Sequence, residues 1–320
     1  MAQEKIAGPE NENVVLEKGD LSLTLLPHLG GKIASIRIGE TELLQAPLLP
    51  YAPRTRTMAF DEADASGWDE CLPSVAACDV RLVVGSSEQV PDHGDLWRVE
   101  WQSDGAGDGT LRGECFSLPL ALVRDLALSE TATGWNLRLK YTVTNTGTAR
   151  VPWSWAAHPL FAVEPGDRIV LPDSIQSLRL EGSGGNRLGK SGDTVSWPIA
   201  KLATGGETDL RMARSIASGI GDKLFAGPLG ATENWCALER PSVNLRIRFE
   251  FDPALTPYLG LWICYGGWPE RPGPKQMCVA LEPATAPVDS LAVTGSWSRS
   301  LAPGERSSWG VSVSIEPFET

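Results

Sequence analysis

The stretch "NWCALERPSVNLRIRFEFDP", Asn234 to Pro253, decides the fold class. Apolar and polar residues alternate on both sides of Pro241, and this period of two is typical of strands that bury one face. The segment Arg240-Pro241-Ser242 separates the two alternating runs. The stretch therefore predicts an antiparallel hairpin with one face in a core.

The same period of two extends along most of the chain. The segment "WNLRLKYTVTNTG" (135–147) alternates in the same way, whereas the nearly all-apolar "YLGLWICYGG" (258–267) predicts a central strand. The 33 glycines and 24 prolines interrupt these runs at short intervals, which is typical of sandwiches and barrels. A brief helix is predicted only within residues 216–227, and the glycine-rich segment 182–209 is predicted to be a solvated surface loop. We expect residues 1–320 to form a single all-β domain, a large antiparallel β-sandwich.

Composition excludes several classes of protein. A net charge of −12 argues against a protein that binds nucleic acid, because phosphate backbones require clustered Lys and Arg. No apolar run approaches the roughly 20 residues that span a bilayer, and "MAQEKIAGPENENVV" at the start lacks the features of a secretory signal. We therefore expect a cytoplasmic protein without membrane contact. The six scattered cysteines predict neither a metal site nor a disulfide framework, and no phosphate- or dinucleotide-binding motif suggests a cofactor.

Two segments carry candidate acid–base residues. The segment "VPWSWAAHPLFAV" (151–163) is almost entirely apolar, yet it holds His158, one of only three histidines. The segment "VALEPATAPVDSL" (279–291) places Glu282 at the end of an apolar run. A carboxylate there is costly to bury and is a candidate general base with a raised pKa. A core histidine and a strand-end glutamate facing water are the plainer interpretations.

Two further segments combine polar groups with tryptophan. "GWDECLPSV" (67–75) holds Trp68, Asp69 and Glu70, and "DHGDLW" (92–97) holds His93 and Trp97. An acidic loop and a surface turn are the plainer interpretations. Twelve tryptophans is a high number, and although most are expected in the core, an indole face also suits the C–H face of a sugar. The whole set indicates proton transfer on a polar, uncharged ligand.

Segments along nearly the whole chain resemble, in order, the aldose 1-epimerase (galactose mutarotase-like) superfamily. They are 21–44, 67–75, 92–101, 153–163, 222–227, 280–291 and 301–316. The resemblance is to a divergent bacterial-type branch, since Ala157 and Leu160 stand where the classical galactose mutarotases have Asn and Tyr. It implies a β-sandwich isomerase that interconverts the α and β anomers of a free aldose.

The resemblance also implies roles for individual residues. Glu282 would take the proton from the anomeric hydroxyl, and His158 would donate a proton to the ring oxygen. His93 and Asp222 would hold sugar hydroxyls. The other expected substrate contacts are Trp68, Asp69, Glu70, Trp97, Trp262 and Arg54. No metal or cofactor is expected, the partner is a small sugar, and the protein is expected to be a monomer or homodimer.

Two other functions remain open from the sequence. The chain is also consistent with a sugar-binding or regulatory protein without catalysis, although retention of both His158 and Glu282 favours an enzyme. A sugar-phosphate epimerase or a lyase on the same fold is the other alternative. A phosphate would require a basic cluster, for which Arg54 and Arg56 are the candidates. A lyase often uses a tyrosine as its base, and the small number of tyrosines, four in the whole chain, gives the lyase alternative little support.

Overall fold

The computed structural model describes residues 13–82, 87–103 and 109–318, and its regular structure within these ranges consists of strands and single-turn 3₁₀ helices. The strands are β1 (Val14–Lys18), β2 (Leu21–Leu26), β3 (Lys32–Ile38), β4 (Thr41–Glu42), β5 (Trp68–Cys71), β6 (Cys78–Arg81), β7 (Ser87–Val90), β8 (Gln102–Ser103), β9 (Thr110–Glu114), β10 (Leu120–Glu130), β11 (Trp135–Asn145), β12 (Val151–Trp153), β13 (Ala156–Ala162), β14 (Arg168–Val170), β15 (Ser177–Ser183), β16 (Thr194–Ser196), β17 (Ile199–Lys201), β18 (Glu207–Asp209), β19 (Ile220–Ala226), β20 (Trp235–Arg240), β21 (Leu245–Phe251), β22 (Tyr258–Tyr265), β23 (Met277–Ala284), β24 (Arg299–Leu301) and β25 (Arg306–Pro317). The 3₁₀ helices are Pro27–Leu29, Phe60–Glu62, Leu96–Arg98, Gly184–Asn186, Ile216–Ser218 and Pro241–Val243. No helix in the described ranges is long and apolar enough to cross a bilayer.

Two large antiparallel sheets form the body of the molecule. The large sheet has eleven strands in the order β1-β2-β3-β5-β13-β23-β22-β19-β15-β16, with β4 paired to β3. The smaller sheet has eight strands in the order β14-β20-β21-β25-β11-β10-β9-β8. The predicted all-β class and antiparallel sandwich are confirmed.

The hairpin predicted from Asn234 to Pro253 is present. Strands β20 and β21 pair antiparallel, with Arg240 opposite Leu245, and Asn244 completes the connection in the left-handed region at φ 56°. Asparagine tolerates this conformation better than most residues. Strand β22 lies between β19 and β23 in the large sheet, so the central position predicted for it is also confirmed.

The two sheets pack face to face around aromatic side chains. Trp68 and Phe161 of the large sheet each contact Phe249 of the smaller sheet, with ring centroids 5.8 Å apart in both pairs. Because side chains alternate along a strand, the neighbours of Trp68 and Phe161 in sequence point away from this core. We call the side facing the smaller sheet the inner face of the large sheet and the opposite side its outer face.

Two local predictions were wrong. Residues 216–227 contain a single 3₁₀ turn followed by strand β19 rather than a helix, because the alternation of β19 lets it pair with β15 and β22 on either side. Segment 182–209 is not merely a solvated loop. It includes β16, β17 and β18, and it buries Leu188, Val195 and Trp197 in the hydrophobic core.

Candidate active site

A cavity of about 170 Å³ lies on the outer face of the large sheet. Strands β13, β19 and β22 contribute His158, Lys223 and Trp262 to its wall, and the connecting segments close over them. The titratable side chains that line it are Asp92, His93, His158, Lys223 and Asp289, and the large aromatic ones are Phe60, Trp262 and Trp268. Apolar walls with a few converging polar groups are typical of small-molecule sites.

Strand register brings these side chains to one face. Lys223 stands opposite Trp262, and Gly260 stands opposite both Phe225 and Glu282. Opposed residues of antiparallel strands share a face. A Cβ atom on Gly260 would lie 2.9 Å from Oε2 of Glu282, so the glycine leaves the space that this carboxylate occupies.

Glu282 lies directly beneath the cavity wall formed by His158 and Lys223. Its side chain is fully buried, and its Oε2 atom accepts a hydrogen bond from Nζ of Lys223. Its Oε1 atom lies 3.9 Å from Nε2 of His158 and accepts no hydrogen bond from any described residue. A buried acceptor without a donor is rare and calls for a functional explanation.

The charges around this pair have clear directions. Burial raises the pKa of Glu282, while the neighbouring Lys223 acts against that rise. Burial lowers the pKa of His158 well below its usual range, and His93 and Lys223 lower it further. Burial also lowers the pKa of Lys223, but Asp289 and Glu282 outweigh that effect and leave it above its usual range. At neutral pH Lys223 is therefore charged and His158 is neutral.

His93 lies across the cavity from these groups, on a tight polar loop. Its ring stacks on Phe60 at 3.8 Å between centroids and meets the ring of His158 edge-on at 5.1 Å. Its Nδ1 atom lies 2.8 Å from Oδ2 of Asp92, which orients the imidazole. Arg98 donates hydrogen bonds to the backbone oxygens of Asp92 and Met58 and so ties this loop to the segment that carries Phe60.

The aromatic wall is held by hydrogen bonds outside the rings. Nε1 of Trp262 donates to Oε1 of Gln276 at 3.0 Å, and Nε2 of Gln276 donates to the backbone oxygen of Ala65. The ring centroids of Trp268 and Phe60 lie 6.1 Å apart. These rings offer flat apolar surfaces beside the acid–base groups.

Two residues predicted to contact substrate are on the inner face instead. Trp68 is fully buried against Phe249, and Glu70 accepts hydrogen bonds from Arg124, Tyr141 and Trp155 between the sheets. Burial raises the pKa of Glu70 to about 7. Strand alternation explains this placement, because β5 turns Trp68 and Glu70 inward and Asp69 outward.

Asp69 and Arg54 belong to a buried ion-pair network beside the cavity rather than to its lining. Nζ of the fully buried Lys32 lies 2.6 Å from Oδ2 of Asp69 and 3.1 Å from Oδ2 of Asp64. Arg54 pairs with the other oxygen of Asp64. Asp69 stands opposite His158 in the sheet, so the network supports the strand that carries the histidine.

Asp222 and Trp97 also lie outside the cavity lining. Asp222 precedes Lys223 on β19 and points to the opposite face, where Ser183 and Arg187 bind its carboxylate. Trp97 is fully buried behind Phe60. Of the predicted residues, the structure thus brings His158, His93 and Trp262 into the cavity wall and places Glu282 just beneath His158.

Several lining residues were not predicted from the sequence, among them Phe60, Lys223, Trp268, Gln276 and Asp289. A signal was available for Lys223, since alternation within "DKLFAG" puts Lys223 and Phe225 on one face of the strand and Asp222 on the other. No such signal marks Phe60 or Trp268, which lie on connecting segments. Among the described residues no group of three or more His, Cys, Asp or Glu side chains is arranged to hold a metal ion.

Comparison with known structures places this architecture. No protein-family model and no curated protein matches the sequence. The Slr1438 protein of Synechocystis sp. PCC 6803 matches over 99% of this chain and 100% of its own, with a TM-score of 0.67 and 18% identity. A galactose mutarotase-like protein of Lactobacillus casei ATCC 334 matches over 95% of this chain and 100% of its own, with a TM-score of 0.64 and 16% identity.

The chain has the galactose mutarotase-like fold. An Escherichia coli K12 protein provisionally described as an aldose 1-epimerase matches with a TM-score of 0.66 and 20% identity, over 96% of this chain and 99% of its own. Identities this low establish a shared fold and leave function to the site residues. In the galactose mutarotase-like fold of this chain, His158 and Glu282 lie on the outer face of the large sheet.

Proposed function

We propose that this protein is an isomerase of the aldose 1-epimerase type, which interconverts the α and β anomers of a free aldose. One observation carries the proposal, namely the approach of His158 Nε2 to within 3.9 Å of Glu282 Oε1 beside an aromatic-walled cavity. An acid and a base that reach one sugar ring together are the requirement for opening a hemiacetal.

The proposed reaction balances within this pair when the pair holds one proton. The carboxylate of Glu282 accepts the proton of the anomeric hydroxyl. His158 donates its proton to the ring oxygen as the C1–O5 bond breaks, in the fraction of molecules in which the shared proton is on His158. This fraction is small at neutral pH because burial lowers the pKa of His158. The product is the open-chain aldehyde. Rotation about C1–C2 presents the other face of the carbonyl, and the reverse transfers close the ring and restore the original protonation of both groups.

The charges of the cavity favour an uncharged aldose. Lys223 is the only lysine or arginine among the described residues that line the cavity, and it is already paired with Glu282 and close to Asp289. Of the two candidates for a phosphate contact, Arg54 is paired with Asp64 outside the cavity. Arg56 lies over the ring of Phe116 and is also outside the cavity lining. A phosphate or a carboxylate on the sugar would therefore meet no unpaired lysine or arginine among the described lining residues. This argues against the sugar-phosphate epimerase alternative.

Anomer exchange measured by NMR tests the proposal. Fresh α-anomers of glucose, galactose, xylose, arabinose and fucose, with glucose 6-phosphate and glucuronate as charged comparisons, are followed with and without protein. We expect acceleration for at least one neutral aldose and weaker or no acceleration for its charged relatives. Binding to a neutral sugar without acceleration would replace the enzyme with the sugar-binding alternative, and acceleration of the charged sugars alone would overturn the proposed substrate class.

A further inference from the structure

Lys223 stands between two carboxylates at the cavity wall. Its Nζ atom donates to Oε2 of Glu282 and lies 3.6 Å from Oδ1 of Asp289. Oδ1 of Asp289 is buried and accepts no hydrogen bond from any described residue. An ammonium group has three protons, so a small movement lets Lys223 bond both carboxylates at once.

The position of Lys223 distinguishes the two oxygens of Glu282. Because Lys223 occupies Oε2, the remaining oxygen, Oε1, is the one on the side of Nε2 of His158. Without Lys223 the carboxylate could rotate, since terminal torsions of this kind are broad. A catalytic base must hold its geometry closely to be effective.

We propose that Lys223 and Asp289 are positioning residues for the base: Lys223 holds Oε2 of Glu282 so that Oε1 receives the anomeric proton, and Asp289 holds Lys223 in place. This inference rests on the proposed function. Neither residue was identified from the sequence, and neither transfers a proton in the reaction proposed above.

Lys223 and Asp289 shift the pKa of Glu282 in opposite directions. The groups that face Glu282 from the elements around it are His158 on β13, Cys71 on β5, Lys223 on β19, and His93 and Asp289 on connecting segments. Of these, Lys223 lowers the pKa of Glu282 and Asp289 raises it. Lys223 also lowers the pKa of His158. Removing the two charges one at a time should therefore move the pH profile in opposite directions.

The side chain of Asp289 can be changed without altering its structural bonds. Its backbone oxygen accepts hydrogen bonds from the backbone of Val75 and Ala76 and from the hydroxyl of Ser74, and these bonds fix the loop. Asp289→Asn retains all three and keeps the shape of the side chain. A change in the pH profile of this variant therefore reports on the carboxylate charge.

The test measures kcat/KM for anomer exchange against pH in the wild type, Lys223→Met, Lys223→Arg and Asp289→Asn. Lys201→Met, at an exposed lysine on β17, is the matched control. We expect Lys223→Met to lose about 10²-fold in kcat/KM, as for a misplaced catalytic group, and its profile to move to higher pH by about one pH unit or more. Asp289→Asn should move the profile to lower pH, and Lys223→Arg should restore much of the wild-type profile.

Carbon-13 NMR of the Glu282 carboxyl separates the two hypotheses. Assigned with Glu282→Gln, this signal should titrate at higher pH in Lys223→Met than in the wild type, whether or not a substrate is known. A wild type inactive on every sugar would count against the proposed function alone. If the Glu282 signal titrates at the same pH in Lys223→Met, in Asp289→Asn and in the wild type, the inference is overturned even if the wild type is an active mutarotase.

Discussion

Nε2 of His158 lies 3.9 Å from Oε1 of Glu282, on adjacent strands of the large sheet. Ala156 opposite Ala284 and Leu160 opposite Ala280 bracket the pair in the register of β13 and β23. The contact is therefore a consequence of strand pairing rather than of a flexible loop. A site built on paired strands holds its groups more closely than one built on loops.

Glu282→Gln tests the base. The amide keeps the shape of the side chain but cannot accept a proton, so the rate of anomer exchange should fall by roughly 10²–10⁴-fold. Saturation-transfer NMR measures the rate, and thermal unfolding checks the fold. Glu207→Gln, at an exposed glutamate on β18, is the control and should keep its rate. A Glu282→Gln enzyme with a near-wild-type rate would remove Glu282 from the mechanism.

The pH profile of kcat/KM tests the shared proton. The active state holds one proton on the pair, so the rate should fall as pH drops and a second proton binds, and fall again as pH rises and the last proton leaves. Burial raises the pKa of Glu282 and lowers that of His158. The pH at which the rate falls on the acid side and the pH at which it falls on the basic side are therefore close together. We expect a narrow bell-shaped pH profile, whose two apparent pKa values belong to the pair and not to either residue alone. A broad flat plateau across several pH units would contradict this account.

Alternation, more than composition, separates what the sequence could predict from what it could not. The hairpin β20–β21 and the central strand β22 follow from their own patterns. The segment "WDE" on β5 was predicted to supply three substrate contacts, although a strand can send only Trp68 and Glu70, or Asp69, to one face. Which set faces the cavity depends on the register with β13, which is a long-range property.

Glu70→Gln tests the placement of this residue in the core. The pKa of Glu70 is raised to about 7 by burial, so the folded state favours the protonated form. Its stabilising contribution is fully present below the unfolded pKa and is lost as pH rises through about 7, by up to about 3 kcal/mol. Glutamine resembles the protonated form.

Thermal unfolding at pH 5.5 and pH 8 measures this effect. The Tm of the wild type should fall more between the two pH values than that of Glu70→Gln, and the KM for sugar should be unchanged in the variant. The Tm of the control variant Glu207→Gln should fall between the two pH values by as much as that of the wild type. A large rise in KM without any change in the pH dependence of Tm would mean that Glu70 contacts substrate after all.

Trp262→Phe tests the aromatic wall. The smaller ring loses stacking area and the bond to Gln276, so KM should rise several-fold, which corresponds to the roughly 0.5–1.5 kcal/mol of an aromatic contact. The value of kcat should stay within about twofold, because the ring binds ground state and transition state alike. Trp235→Phe, on β20 of the smaller sheet, is the control. Equal KM values for both variants and the wild type would exclude Trp262 from the site.

The measurement that tests the central claim most directly is a double-mutant comparison of the anomer-exchange rate in Glu282→Gln, His158→Ala and the combined variant. Residues that act as one unit are strongly non-additive. We predict that each single variant loses at least about 10²-fold and that the combined variant loses little more than the worse of the two. Losses that multiply in the combined variant would show two independent contributions, and would contradict a proton shared between His158 and Glu282.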